Sequence, residues 1–139
     1  MITDTRSHIL AISAVTLVTH DMVAAVRFYK ALGFIVKYGG ESASFTSFAF
    51  GTHYLNLASG GKKRQPDLWG RIIFYVDDVD AFYRNVLTQG YSTDTQPRDA
   101  EWDERYFHLT DPDGNELSFA APLTRTDPDD GNQRQENDE

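Results

Sequence analysis

The sequence predicts an α+β fold built from two copies of one unit, ordered strand, helix, strand, strand, strand. Three observations predict it. Short stretches alternate apolar with polar residues, as half-buried strands do, and two stretches of helical spacing interrupt them. The residues bounding those helices recur at one offset: Asp21 and Asp78, Gly33 and Gly90, and Phe34 and Tyr91 each stand 57 residues apart. The last strands of the units, 54–57 and 116–119, recur at an offset of 62, so the second unit carries its extra residues within 91–105. One such unit cannot bury both faces of its sheet, so two copies must pair.

Residues 1–9 form a polar arm, and 10–60 the first unit. A strand over 12–19 puts Val15 and Leu17 on one face and Ala14, Thr16 and Val18 on the other. Asp21 is placed to cap a helix, its carboxylate accepting backbone N–H groups of the first turn. Met22, Ala25, Val26, Tyr29 and Leu32 form that helix's apolar stripe, and Gly33 ends it. Strands follow over 34–39, 44–50 and, after the Gly51-Thr52 turn, 53–58. Residues 61–68 read as a Gly/Lys/Arg/Pro linker, with Lys62, Lys63 and Arg64 solvated.

The second unit covers 69–123. A strand spans 71–76, Asp78 caps the second helix, and Val79, Phe82, Val86 and Leu87 form its apolar side up to Gly90. Two alternating stretches, 105–109 and 116–120, flank the turn Asp111-Pro112-Asp113-Gly114-Asn115. Pro112 presets its own φ, and Gly114 accepts a positive one without steric cost. The tail 124–139 lacks large apolar residues, so burial cannot offset its ordering entropy, and it is expected to be mobile.

The chain has 139 residues, a formal net charge of −8 and no cysteine. Disulfides and thiolate chemistry are thereby excluded. Six acids against two arginines place −4 of that charge in the tail, so the folded part is only mildly acidic. With a net charge of −8, nucleic acid is not expected as a partner, since phosphate binding needs clustered Lys and Arg. No apolar run is long enough to span a membrane and no secretory signal is visible, so a cytoplasmic location is expected.

The doubled βαβββ order, the turn at 111–115, the stretch Val76-Asp77-Asp78-Val79-Asp80-Ala81 and the stretch Arg27-Phe28-Tyr29-Lys30-Ala31-Leu32-Gly33-Phe34 together resemble the vicinal oxygen chelate superfamily. Glyoxalase I, extradiol dioxygenases, fosfomycin-resistance transferases and bleomycin-resistance proteins belong to it. The resemblance covers about 12–123. It implies curved mixed sheets around a cavity with the helices outside, and a homodimer, in some members formed by exchanging modules. Most of its enzymes hold a divalent metal on the first and last strands of each module. The corresponding positions here are Ala14, Asn56, Arg71 and Ser118. Alanine has no donor, arginine repels a cation, and Asn and Ser are weak neutral oxygen donors. No metal or other cofactor is therefore expected.

With the helix-facing positions assigned to the core, alternation leaves Arg71, Tyr75, Tyr54, Asn56, Tyr106, His108, Glu116 and Ser118 facing the cavity, with Glu104 and Trp102 further out. Aromatic rings with a few polar groups describe a small-molecule site. A buried Arg71 would need an anionic partner, either Glu116 or Glu104 within the chain, or a ligand. His108 and Glu116 are the candidates for proton transfer. His20 and His53 fall at turns and are expected to be solvated. Trp69 and Trp102 fit either a pocket mouth or a dimer seam. These features point to a metal-independent protein of the bleomycin-resistance kind that sequesters an aromatic or planar small molecule. The alternative is a glyoxalase-like lyase or isomerase in which Arg71 replaces the metal and His108 and Glu116 move protons.

Overall fold

The computed structural model describes residues 6–62 and 69–123. The tail, most of the linker and the first five residues of the arm lie outside these. Ten elements follow in chain order: β1 (Ala14–Thr19), α1 (Met22–Ala31), β2 (Ile35–Tyr38), β3 (Phe45–Phe50), β4 (His53–Ser59), β5 (Arg71–Tyr75), α2 (Val79–Thr88), β6 (Arg98–Ala100), β7 (Glu104–Thr110) and β8 (Glu116–Pro122). Two four-stranded mixed sheets result, ordered β1-β4-β3-β2 and β5-β8-β7-β6. In each, the strand before the helix runs parallel to the last strand of its module. The two modules are thus α+β repeats of one topology.

Both helices start where the sequence places them. Asp21 accepts from the Ala24 N–H at 3.1 Å, and Asp78 from that of Ala81 at 3.0 Å. Each is an N-cap in extended backbone, satisfying a donor the helix cannot. Gly33 and Gly90 follow the helix ends at φ of 107° and 92°, values a side chain resists. Gly39 is required for space as well. A Cβ there would collide with the backbone of Phe45 and Thr46, where the chain turns back into β3.

The strands are shorter than the alternation predicts at some ends. Ile12 and Ser13 precede β1 because β4 begins at His53, so the pairing with β1 opens at Ala14 opposite Tyr54. The extra residues of the second module form irregular chain before the three-residue β6. That chain is tied to β7 by the Asp94 N–H on the His108 carbonyl, 2.9 Å, and by Thr95 Oγ1 accepting from the His108 N–H, 3.0 Å.

One hydrophobic core serves both modules. Leu17, Leu55, Leu57, Phe48, Phe107, Leu109, Leu117 and Phe119 enter it from the strands, and Ala25, Val26, Phe28, Tyr29, Val79 and Val86 from the helices. Phe74 joins the halves: its ring meets Phe34 at 5.2 Å and Phe50 at 5.3 Å, and stacks on Phe119 at 5.4 Å. Each large side chain buried this way contributes about 1.5–3 kcal/mol.

The turn of the second module is a second joint. Asp111 is buried and accepts from Tyr29 Oη at 2.7 Å, from the Asp113 and Asn115 N–H groups at 2.9 and 2.8 Å, and from Asn115 Nδ2 at 3.0 Å. Four donors on one carboxylate make it a fixed node between α1 and the β7–β8 turn. Burial, then the Asp111 charge, raises the Tyr29 phenol well above its ordinary range, so it stays protonated and donating. Asp113, also buried, accepts from the His20 N–H at 2.8 Å and pairs with His20 Nδ1. His20 is therefore not simply solvated: its ring follows β1 and reaches the second module's turn.

Candidate functional site

Strand registers lay out the face that points away from the core. On the second module, Arg71, Glu116 and Thr110 form one cross-strand row, and Ile73, Ser118 and His108 the next. Tyr75, Ala120, Tyr106 and Arg98 form a third, and Pro122, Glu104 and Ala100 a fourth. On the first module the rows run Ala14, Tyr54, Ala49, Ile35; then Thr16, Asn56, Ser47, Tyr38; then Val18, Ala58, Phe45. The two faces differ in chemistry. The first carries apolar, small and neutral polar side chains. The second carries two arginines, two glutamates and a histidine.

The polar face is internally bonded. Arg71 pairs with Glu116 at 2.7 Å, so its anionic partner is Glu116 rather than Glu104. Both side chains are about one third exposed, at 31% and 28%, which corrects the expectation of a buried arginine. Glu104 accepts from the Tyr75 hydroxyl and from Trp102 Nε1, the latter at 3.1 Å. Trp102 stacks on Tyr106 at 5.7 Å, and the Tyr106 and His108 rings lie 5.0 Å apart. Arg98 Nε donates to Tyr106 Oη at 2.9 Å, with the guanidinium carbon 5.3 Å from the ring centroid. His108 Nδ1 is buried and has no hydrogen-bond partner among the described residues. Burial, reinforced by the Arg71 and Arg98 charges, holds the His108 pKa below its ordinary value, against Glu116 and Asp94, so the ring is neutral near pH 7.

Two clefts open where the edge strands β1 and β5 face one another, each belonging to its own sheet. The larger, about 610 Å³, is lined by Ile12–Val15, Phe50, His53, Tyr54, Ile73, Phe74 and Tyr75 among others. The smaller, about 290 Å³, holds Arg71 and Glu116 with Trp69, Asn115, Val15 and Leu17. The expected site is thus divided. Tyr54 and Tyr75 share the larger cleft, and Arg71 and Glu116 the smaller. Tyr106, His108 and Trp102 lie along the β7 side outside both, with Ser118 buried on β8 and Asn56 on the first module. Tyr75 joins the larger cleft to the polar face, its ring on one and its hydroxyl on Glu104 of the other.

The four positions at which the resemblance implies metal ligands do not fit a divalent cation. Ala14 offers no donor atom, Arg71 carries its own charge into an ion pair, and Asn56, whose amide N–H donates to Thr16 Oγ1 at 3.2 Å, offers only a neutral amide oxygen. Ser118 offers only a neutral hydroxyl. Among the described residues no group of three or more His, Asp or Glu is disposed to hold a metal.

Sequence reasoning missed Arg98 and the His20–Asp113 pair. A hairpin centred on Trp102 sets Arg98 opposite Tyr106, but β6 has three residues and no apolar alternation to announce it. His20 and Asp113 are separated by 93 positions, beyond any local pattern.

Paired βαβββ modules with a shared core, and clefts where their edge strands meet, define one architecture. The chain belongs to the Glyoxalase/Bleomycin resistance protein/Dioxygenase superfamily, whose model matches residues 11–119. Among solved structures it is similar to a glyoxalase/bleomycin resistance protein/dioxygenase from Nocardioides. That likeness has 20% identity and a TM-score of 0.68, over 86% of this chain and 87% of the other. A putative glyoxalase family protein from Bacillus anthracis matches at 20% identity and TM-score 0.68, over 85% and 99%. A bleomycin resistance determinant encoded on the transposon Tn5 matches at 22% and 0.67, over 83% and 100%. At these identities the likeness is one of fold. No match was found among curated proteins. No described helix is long and apolar enough to cross a membrane.

Proposed function

We propose that this protein binds an aromatic or planar small molecule without a metal, sequestering it rather than turning it over. The observation that carries this reading is the cleft of about 610 Å³ between β1 and β5. Its volume falls within the range of small-molecule sites, roughly 300–1,000 Å³, and its wall is mostly apolar with the phenols of Tyr54 and Tyr75 at hand. The polar face beyond Tyr75 supplies the few oriented hydrogen-bonding groups that such a site needs. Proton transfer by His108 and Glu116 is the weaker reading. Glu116 is engaged by Arg71, and neither His108 nor Glu116 lines the larger cleft.

The protein acts as a homodimer in this reading. Ile9, Leu10 and Ile12, exposed at 99%, 92% and 72%, lead into β1 and offer apolar surface that a second copy would cover. The test pairs elemental analysis with a thermal-shift screen of planar aromatic compounds. The expected result is no stoichiometric divalent metal and a raised Tm with at least one planar ligand. Binding at a hundredfold excess over Kd is worth ~2.7 kcal/mol. A metal held at unit occupancy, or no response to any planar compound, would overturn the proposal.

A further inference from the structure

On the polar face of the second module, every carboxylate that faces a described donor is already engaged, and one arginine is not matched by a carboxylate. Glu116 is held by Arg71, and Glu104 takes one donor on each oxygen, from Tyr75 and Trp102. Arg98 spends only Nε, on the neutral hydroxyl of Tyr106. Its two terminal nitrogens have no carboxylate within ion-pair range among the described residues, although the chain as a whole carries −8. Arg98 sits diagonally across from His108, one row away on the neighbouring strand, at the ~7–8 Å spacing that long side chains cover.

We propose that this face selects an anionic ligand, with an oxyanion of carboxylate or phosphate type seated beside His108 and held by Arg98. The inference rests on the small-molecule reading above and adds the ligand's charge to it. A guanidinium left with terminal N–H groups unspent binds such an oxyanion through paired, charge-assisted hydrogen bonds. Neutral His108 adds no repulsion and no competing charge. The positive influence of Arg71 and Arg98 on its ring outweighs that of Glu116 and Asp94. Tyr106 holds the Arg98 fork in place through its hydroxyl and ring face, so less side-chain freedom is lost on binding.

The test measures calorimetric affinities of the full chain for matched probes: 1-naphthoate, 1-naphthyl phosphate and the neutral 1-naphthamide. The expected result is that one or both anions bind at least about tenfold more tightly than the amide, the scale of one charge-assisted hydrogen bond. Preference between the two anions tells carboxylate from phosphate. Arg98→Gln, at an exposed site distant from the core, should remove that preference. Equal affinity for amide and anions, or a preference that survives Arg98→Gln, overturns the inference and leaves the small-molecule reading standing. Failure of all three probes to bind overturns the inference, and no response to any planar compound in the thermal-shift screen overturns both. A preference lost on Arg98→Lys as well would show that the planar fork, not charge alone, reads the ligand.

Discussion

Replacing Tyr29 with Phe removes one atom from the joint between the modules and nothing from its packing. The hydroxyl is buried at 0% exposure and donates to Asp111 at 2.7 Å. Asp111 keeps three donors, from Asp113, Asn115 N–H and Asn115 Nδ2, so its turn stays formed. The loss is that of one hydrogen bond to a buried charge, about 1.5–3 kcal/mol. At roughly 4 °C per kcal/mol for a domain of this size, Tm falls by roughly 6–12 °C. Urea unfolding followed by far-UV circular dichroism reads this as a lower midpoint with an unchanged slope. A double-mutant cycle with Asp111→Asn should return a coupling of at least ~1 kcal/mol. A loss below about 0.5 kcal/mol, or additivity in the cycle, would show that the turn and α1 are held by packing alone.

Two further outcomes follow from the same contacts. His20→Ala leaves the Asp113 carboxylate buried with only one backbone donor; breaking a buried pair costs about 3–5 kcal/mol, and with the His20 ring 33% exposed the expected loss is about 1–3 kcal/mol in urea unfolding. An unchanged midpoint would show that the pair does not stabilise the fold. His108, lowered by burial and by Arg71 and Arg98, should titrate below ~6.5 in NMR spectra of the folded protein. Because its folded pKa lies below the unfolded one, it contributes stability above pH ~6.5 that is lost as the pH falls through the folded value. His108→Gln should flatten that part of the acid limb, and a folded pKa at or above ~6.5 would contradict the burial and charge described.

Much of the fold was legible because burial alternates with the strand period. Val15 and Leu17, Ile72 and Phe74, Leu55 and Leu57, and Phe107 and Leu109 lie on the side facing the helices, as their spacing predicts. The caps at Asp21 and Asp78 were equally plain, since capping is decided within three residues. The candidate site was less legible. Alternation names the face on which Tyr54, Tyr75, Tyr106 and His108 stand but not how far apart two sheets sit. The gap between β1 and β5 is a product of the shared core, and it parts Tyr54 and Tyr75 from Arg71 and Glu116. The exposure of Arg71 depends on the same gap. The second role of the turn at 111–115 depends on Tyr29 and His20 in the other module, which local sequence cannot supply.

On the proposed reading, the seam between β1 and β5 receives a planar small molecule without a metal. The most direct measurement is an amide and methyl chemical-shift map of the metal-free protein titrated with 1-naphthoate. Saturable shifts are expected, centred on Tyr54, Ile73 and Tyr75 and extending across the polar face to Arg98 and His108. Shifts confined elsewhere, or appearing only after a divalent metal is added, would contradict it.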